Sequence, residues 1–208
     1  MDRWHGLANL YCSLKYWSEI QISLAGQGNF RVAAPLYGMP FLSGSRLVIP
    51  RGPGTAEDSD GYTDYSIVDE EHYFSIQTSG RTRGDTFSET AEGWFGTFND
   101  AAKFFLGRQV ASTTRLRVRS GGLEVVNWRW SGRGLAPLWS EVSAPNPNGF
   151  IDSKRYFRSD DPGRFYVTLN PDTATSFLLE LSWRELNATF TEGIPGIEHV
   201  RMPEFSDD

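Results

Sequence analysis

The 208-residue chain predicts an α+β fold, an antiparallel sheet packed with an N-terminal helix, a central helix and a late C-terminal helix. Three observations predict it. Apolar residues recur at helical spacing near the start, the middle and the end of the chain. Between them, short runs alternate apolar and polar residues, as half-buried strands do. Gly and Pro separate these runs irregularly, without the strand–helix–strand rhythm of a parallel sheet. Hydrophobic residues make up 39% and aromatic residues 14%, enough to build one sizeable core. Residues 1–208 therefore read as one domain, with no internal repeat and no linker long enough to force two.

The elements follow in order. Trp4, Leu7, Leu10, Tyr11, Leu14, Trp17 and Ile20 form a helical stripe over residues 3–20. From Gly26 to Gly52 the runs Phe30–Ala33 and Arg46–Ile49, punctuated by Pro35, Gly38, Pro40, Gly44 and Pro50, read as short strands. Residues 53–64 read as a mobile acidic loop. Tyr65–Val68 and His72–Ile76 flank the acidic turn Asp69-Glu70-Glu71 and predict a hairpin that runs to Thr82 and turns at Gly84-Asp85. Thr97 or Asn99 caps a central helix expected to run to about Thr113, with Asp100 favourable at its positive end. Arg115, Arg117 and Arg119 alternate with Leu116 and Val118, which predicts a strand with three arginines outward and a turn at Gly121-Gly122. Residues 131–149 read as loop. Tyr156-Phe157 and Arg164–Leu169 read as strands around the Asp160–Gly163 turn. A second long helix is expected over 173–190, capped by Asp172 and stopped by Gly193. The tail to Asp208 is expected to be extended and partly frayed.

Charge is distributed unevenly. Pro53–Glu71 holds seven acids and no Lys or Arg, whereas Arg108–Arg133 holds six Arg and one acid, Glu124. The net charge of −6 argues against nucleic-acid binding by bulk electrostatics. One cysteine, Cys12, rules out an intrachain disulfide and a Cys-based zinc site, and it suits a reducing cytoplasm. No apolar run spans a bilayer, no signal peptide is read, and the sequon at Asn187 is taken as a chance match. His5, His72 and His199 lack partners at metal-ligand spacing, and no nucleophile elbow, phosphate loop or HExxH pattern occurs. No catalytic residue, metal or cofactor is expected. Docking through charge is the reading that remains. The acidic side offers Glu57, Asp58, Asp60, Asp69, Glu70 and Glu71 to a basic partner; the arginine row could hold phosphate or an acidic partner. The alternative is a small-ligand or hydrolytic site around Asp69–His72.

From about Gly61 onward the order of elements resembles a bacterial immunity-protein family that neutralises polymorphic toxins, including NAD glycohydrolases of the tuberculosis-necrotizing-toxin type. The stretches that carry the likeness are Tyr73-Phe74-Ser75-Ile76, Arg81-Thr82-Arg83-Gly84-Asp85, Trp94 to Arg108, Gly149-Phe150, and Leu181 to Asn187. Residues 1–60 lie outside it. The resemblance implies a cytoplasmic inhibitor without activity of its own, whose partner is a cognate protein toxin rather than nucleic acid or membrane. It adds Arg81 and Arg83 to the partner-binding candidates, beside Arg115, Arg117 and Arg119.

Overall fold

The computed structural model describes residues 3–52, 61–82, 85–119, 123–144, 153–168 and 170–206. The fold is α+β, as expected. The strands are β1 (Phe41–Ser43), β2 (Arg46–Ile49), β3 (Gly61–Asp69), β4 (Phe74–Thr82), β5 (Asp85–Phe95), β6 (Trp139–Ala144), β7 (Ser153–Arg158) and β8 (Phe165–Thr168). They form one sheet in the order β1-β2-β3-β4-β5-β8-β7-β6, with every neighbouring pair antiparallel. The helices are α1 (Leu7–Gly26), α2 (Phe98–Phe105), α3 (Ser112–Arg117), α4 (Ala174–Glu180) and α5 (Trp183–Thr191). A π-helical segment, Leu106–Ala111, joins α2 to α3.

One sheet face is apolar because alternate residues point the same way. Leu47, Ile67 and Ile76 are successive cross-strand partners, and so are Phe74, Phe95, Tyr166 and Tyr156. All seven are buried in the core, where they meet Trp17 and Ile20 of α1, Phe105 of α2 and Trp183 and Phe190 of α5. Tyr156 and Tyr166 stack with ring centres 4.7 Å apart. A Cβ on Gly107 would lie 2.6 Å from Leu178 Cδ1, so a larger residue in the π-helical segment would force the buried Leu178 side chain of α4 to shift.

Among the described residues, the buried Tyr156 hydroxyl and Asn127 Oδ1 have no hydrogen-bond partner, whereas the Asn187 amide is paired. Asn187 Oδ1 accepts from Trp17 Nε1 (2.8 Å), and Asn187 Nδ2 donates to Ser13 Oγ (2.9 Å) and to the Trp183 carbonyl (2.8 Å). This fully buried amide ties α5 to α1, and the sequon is inaccessible in the fold.

Several expectations need correction. Arg115–Arg119 is not a strand: Arg115 and Arg117 close α3, and only Val118 pairs, as an isolated bridge with Phe30. Phe30–Ala33 contributes that bridge and no strand. The late helix is two helices, because Ser182 starts a new one with a capping box: its hydroxyl accepts from the Glu185 N–H, and the Glu185 carboxylate accepts from the Ser182 N–H. Residues 139–144, read as loop, form β6, and Asp85, read as a turn, opens the eleven-residue β5. Residues 61–64, read as the end of a loop, open β3. The tail is fastened as far as Ser206, whose N–H (3.1 Å) and hydroxyl (2.9 Å) both donate to Asn9 Oδ1. The Gly121-Gly122 turn and the loop 53–60 lie outside the described residues.

Candidate functional site

The acidic turn between β3 and β4 does not converge. Asp69 accepts from Arg3 Nε (2.9 Å), and the Arg3 guanidinium lies 4.8 Å from the Phe74 ring centre. Hydrogen bonding from Arg3 holds the Asp69 carboxyl below the ordinary aspartate range. Glu70 turns elsewhere and accepts from Ser75 Oγ (2.9 Å) and Gln77 Nε2 (3.2 Å). Glu71 and His72 are exposed. The structure therefore separates the four residues of the hydrolytic alternative. Among the described residues, no group of three or more His, Cys, Asp or Glu could hold a metal ion.

Beside this turn lies a groove of about 500 Å³, lined by Arg3, His5, Phe74, Gly96–Asn99 and Arg164. Its wall is fixed from below. Asp100, with no exposed surface, accepts from Arg164 Nε at 2.9 Å and from Nη2 at 3.0 Å. Thr97 caps α2, its hydroxyl accepting from the Asp100 N–H at 3.1 Å.

The arginine row is split by the fold. Arg115 is only 7% exposed and donates inward to the carbonyls of Phe190 (2.8 Å), Glu192 (2.7 Å) and Glu124 (2.9 Å). Burial lowers its pKa from the ordinary arginine value. It clasps α3 to the end of α5 and is a structural group. Arg117 and Arg119 are exposed. Arg81 is exposed on β4. Glu57, Asp58, Asp60 and Arg83 lie outside the described residues.

Beyond Arg115 the surface turns apolar. A groove of about 60 Å³ runs between α3 and the segment 123–127, lined by Leu116, Leu123, Val125 and Asn127 among others. Leu116 is 63% exposed, and Trp128, which follows Asn127 in the 3-10 turn Val126–Arg129, is 72% exposed. Arg129 steadies this turn, donating to Glu124 (2.7 Å) and Glu192 (2.6 Å). The sequence reading missed this site. The sequence carried no clear signal for it, since Trp128 and Trp130, two residues apart, would share one face of a strand, and it is the 3-10 turn that parts them. Trp130 enters the core, stacking on Phe177 with ring centres 6.3 Å apart.

A further polar group sits where two irregularities meet. Ile76 pairs with Gly93 and Gln77 with Ala91, so Glu92 is the extra residue of a β-bulge. Its carboxylate accepts from Gln109 Nε2 (2.9 Å) in the π-helical segment, and Gln109 Oε1 accepts from the Tyr65 hydroxyl (3.0 Å). Burial pushes Glu92 above the ordinary glutamate range, and the Tyr37 hydroxyl is pushed up to about 12, mainly by burial.

No family model matches the chain, and no curated protein matches it in sequence. Among solved structures, Rv3902c from M. tuberculosis is similar, with a TM-score of 0.55, 12% identity and 90% of each chain covered. At that identity the likeness is one of fold. No helix among the described residues is long and apolar enough to cross a membrane.

Proposed function

We propose that the chain is an immunity protein that binds a cognate secreted toxin, of the NAD glycohydrolase class, and occludes its active site in the producer's cytoplasm. The sequence resemblance along Tyr73–Asp85, Trp94–Arg108 and Leu181–Asn187 supports this reading. The observation that carries it is Trp128, 72% exposed on a turn braced by two ion pairs, next to a groove walled by exposed Leu116. A braced, solvated tryptophan is the residue type that anchors protein interfaces, and it loses little entropy on docking. Arg117 and Arg119 supply a cationic rim that assists encounter.

The test pairs the purified chain with the toxin-like protein encoded beside its gene, and follows NAD hydrolysis. Stoichiometric inhibition is expected, and no inhibition at saturating chain refutes the proposal. Trp128→Ala is expected to weaken the complex by about 2 kcal/mol, roughly thirtyfold in Kd, mainly through faster dissociation. Its thermal midpoint should not move, because the side chain is solvated. An unchanged Kd would place the interface elsewhere.

A further inference from the structure

The groove beside the acidic turn has no part in the toxin reading, yet its walls combine an aromatic floor with anchored cations. Its volume of about 500 Å³ is that of a site for one small organic molecule. Phe74 and Phe98 floor it, and Trp4 packs on both, the three rings meeting edge to face with centres 4.9, 5.5 and 5.7 Å apart. Such a floor suits a further aromatic ring. Arg3, His5 and Arg164 line the same groove, and among the described residues no carboxylate lines it.

Both arginines are held from behind. Arg3 pairs with Asp69 and Arg164 with Asp100, and in each pair the guanidinium is the more exposed member, 41% against 16% and 20% against 0%. The arginines line the groove and their carboxylates do not, so each pair turns its positive end toward the groove. An anchored guanidinium loses little further freedom when a ligand docks. Arg3 spends Nε and Nη2 on Asp69, which leaves Nη1 to donate to a ligand. One open guanidinium edge matches one carboxylate. Glu71, exposed on the turn, acts on Arg3 through space and opposes an incoming anion.

We propose that this groove binds a small aromatic carboxylate, with its ring on Phe74 and Phe98 and its carboxylate toward Arg3. The site does not rest on the toxin reading, whose contact is Trp128.

Isothermal titration of the full chain with sodium indole-3-acetate tests the proposal, with indole-3-acetamide and sodium octanoate at matched ionic strength as comparisons. Saturable one-to-one binding of indole-3-acetate is expected, about tenfold or more tighter than either comparison. Arg3→Gln and His5→Glu should each weaken it about tenfold, and Glu71→Gln should tighten it, all three keeping the far-UV circular dichroism of the parent. Trp128→Ala should bind indole-3-acetate as the parent does. Heats no larger than those of dilution, equal affinity for indole-3-acetamide, or unchanged affinity in both Arg3→Gln and His5→Glu overturn the proposal. Tighter binding of octanoate overturns it in favour of an aliphatic ligand, and loss of binding in Trp128→Ala overturns it by placing the ligand at the tryptophan.

Discussion

Arg115 shows how one side chain can carry structure while looking like surface. Its guanidinium reaches three carbonyls that belong to two other parts of the chain, the end of α5 and residue 124. A hydrogen bond made by a charged group contributes about 1.5–3 kcal/mol, so Arg115→Met, which loses three, is expected to lower unfolding free energy by roughly 4–5 kcal/mol, the low end applying because two of the carbonyls are only part-buried. Urea unfolding checks this through its midpoint. Arg115→Lys should recover only part, because one ammonium cannot span the same fork. A midpoint unchanged in Arg115→Met would mean that the three carbonyls find water instead. The residue was misread because Arg-Leu-Arg-Val-Arg has period two, and a six-residue helix end is too short to display 3.6. The usual rule that arginine stays outside then placed it on the wrong side. Trp128 was missed for the mirror-image reason, since tryptophan is counted toward the core by default.

Elements were legible where a single pattern governed them. The stripe of α1, the Tyr65–Thr82 hairpin and the Thr97 cap each follow from one periodicity or one turn. Strand β5 was not legible, because its first half is polar and exposed, with Asp85, Ser88 and Glu89 facing water, and the bulge at Glu92 breaks its alternation. The division between α4 and α5 was readable in Ser182-Trp183-Arg184-Glu185, but an unbroken apolar stripe hid it. The bulge and the π-helical segment together place Glu92 against Gln109, and this has a consequence in pH. A carboxyl whose pKa is raised in the folded state is neutral in both states below the unfolded value, and it destabilises the fold as pH rises through the folded value. Glu92→Gln removes that penalty. Its thermal midpoint is expected to match the parent near pH 4 and to exceed it at pH 7, as scanning calorimetry across that range can show. A midpoint below the parent at pH 7 would mean that the ionised carboxylate supports Gln109 more than its burial costs.

At the scale of the whole molecule, the first helix is held by the last segment of the chain. Ser23 meets His199 at 3.1 Å, Gln27 Nε2 donates to the Gly196 carbonyl at 2.6 Å, and Asn9 grips Ser206. Met202 and Phe205, partly buried, pack against the core. No periodicity announces such a strap, because its residues form neither helix nor strand, and sequence reading treats such a tail as loose by default. Its contribution follows from area and pairing: two partly buried apolar side chains and the three hydrogen bonds between Asn9 and Ser206 amount to about 3–4 kcal/mol. Truncation after Val200 is therefore expected to lower the thermal midpoint by about 6–16 °C in a chain of this length. The loss should appear as faster amide exchange along α1 before it appears in the sheet, since α1 is the element that the strap covers. If exchange instead quickens uniformly, the strap stabilises the fold as one cooperative unit, and if neither the midpoint nor exchange changes, these contacts add nothing to stability.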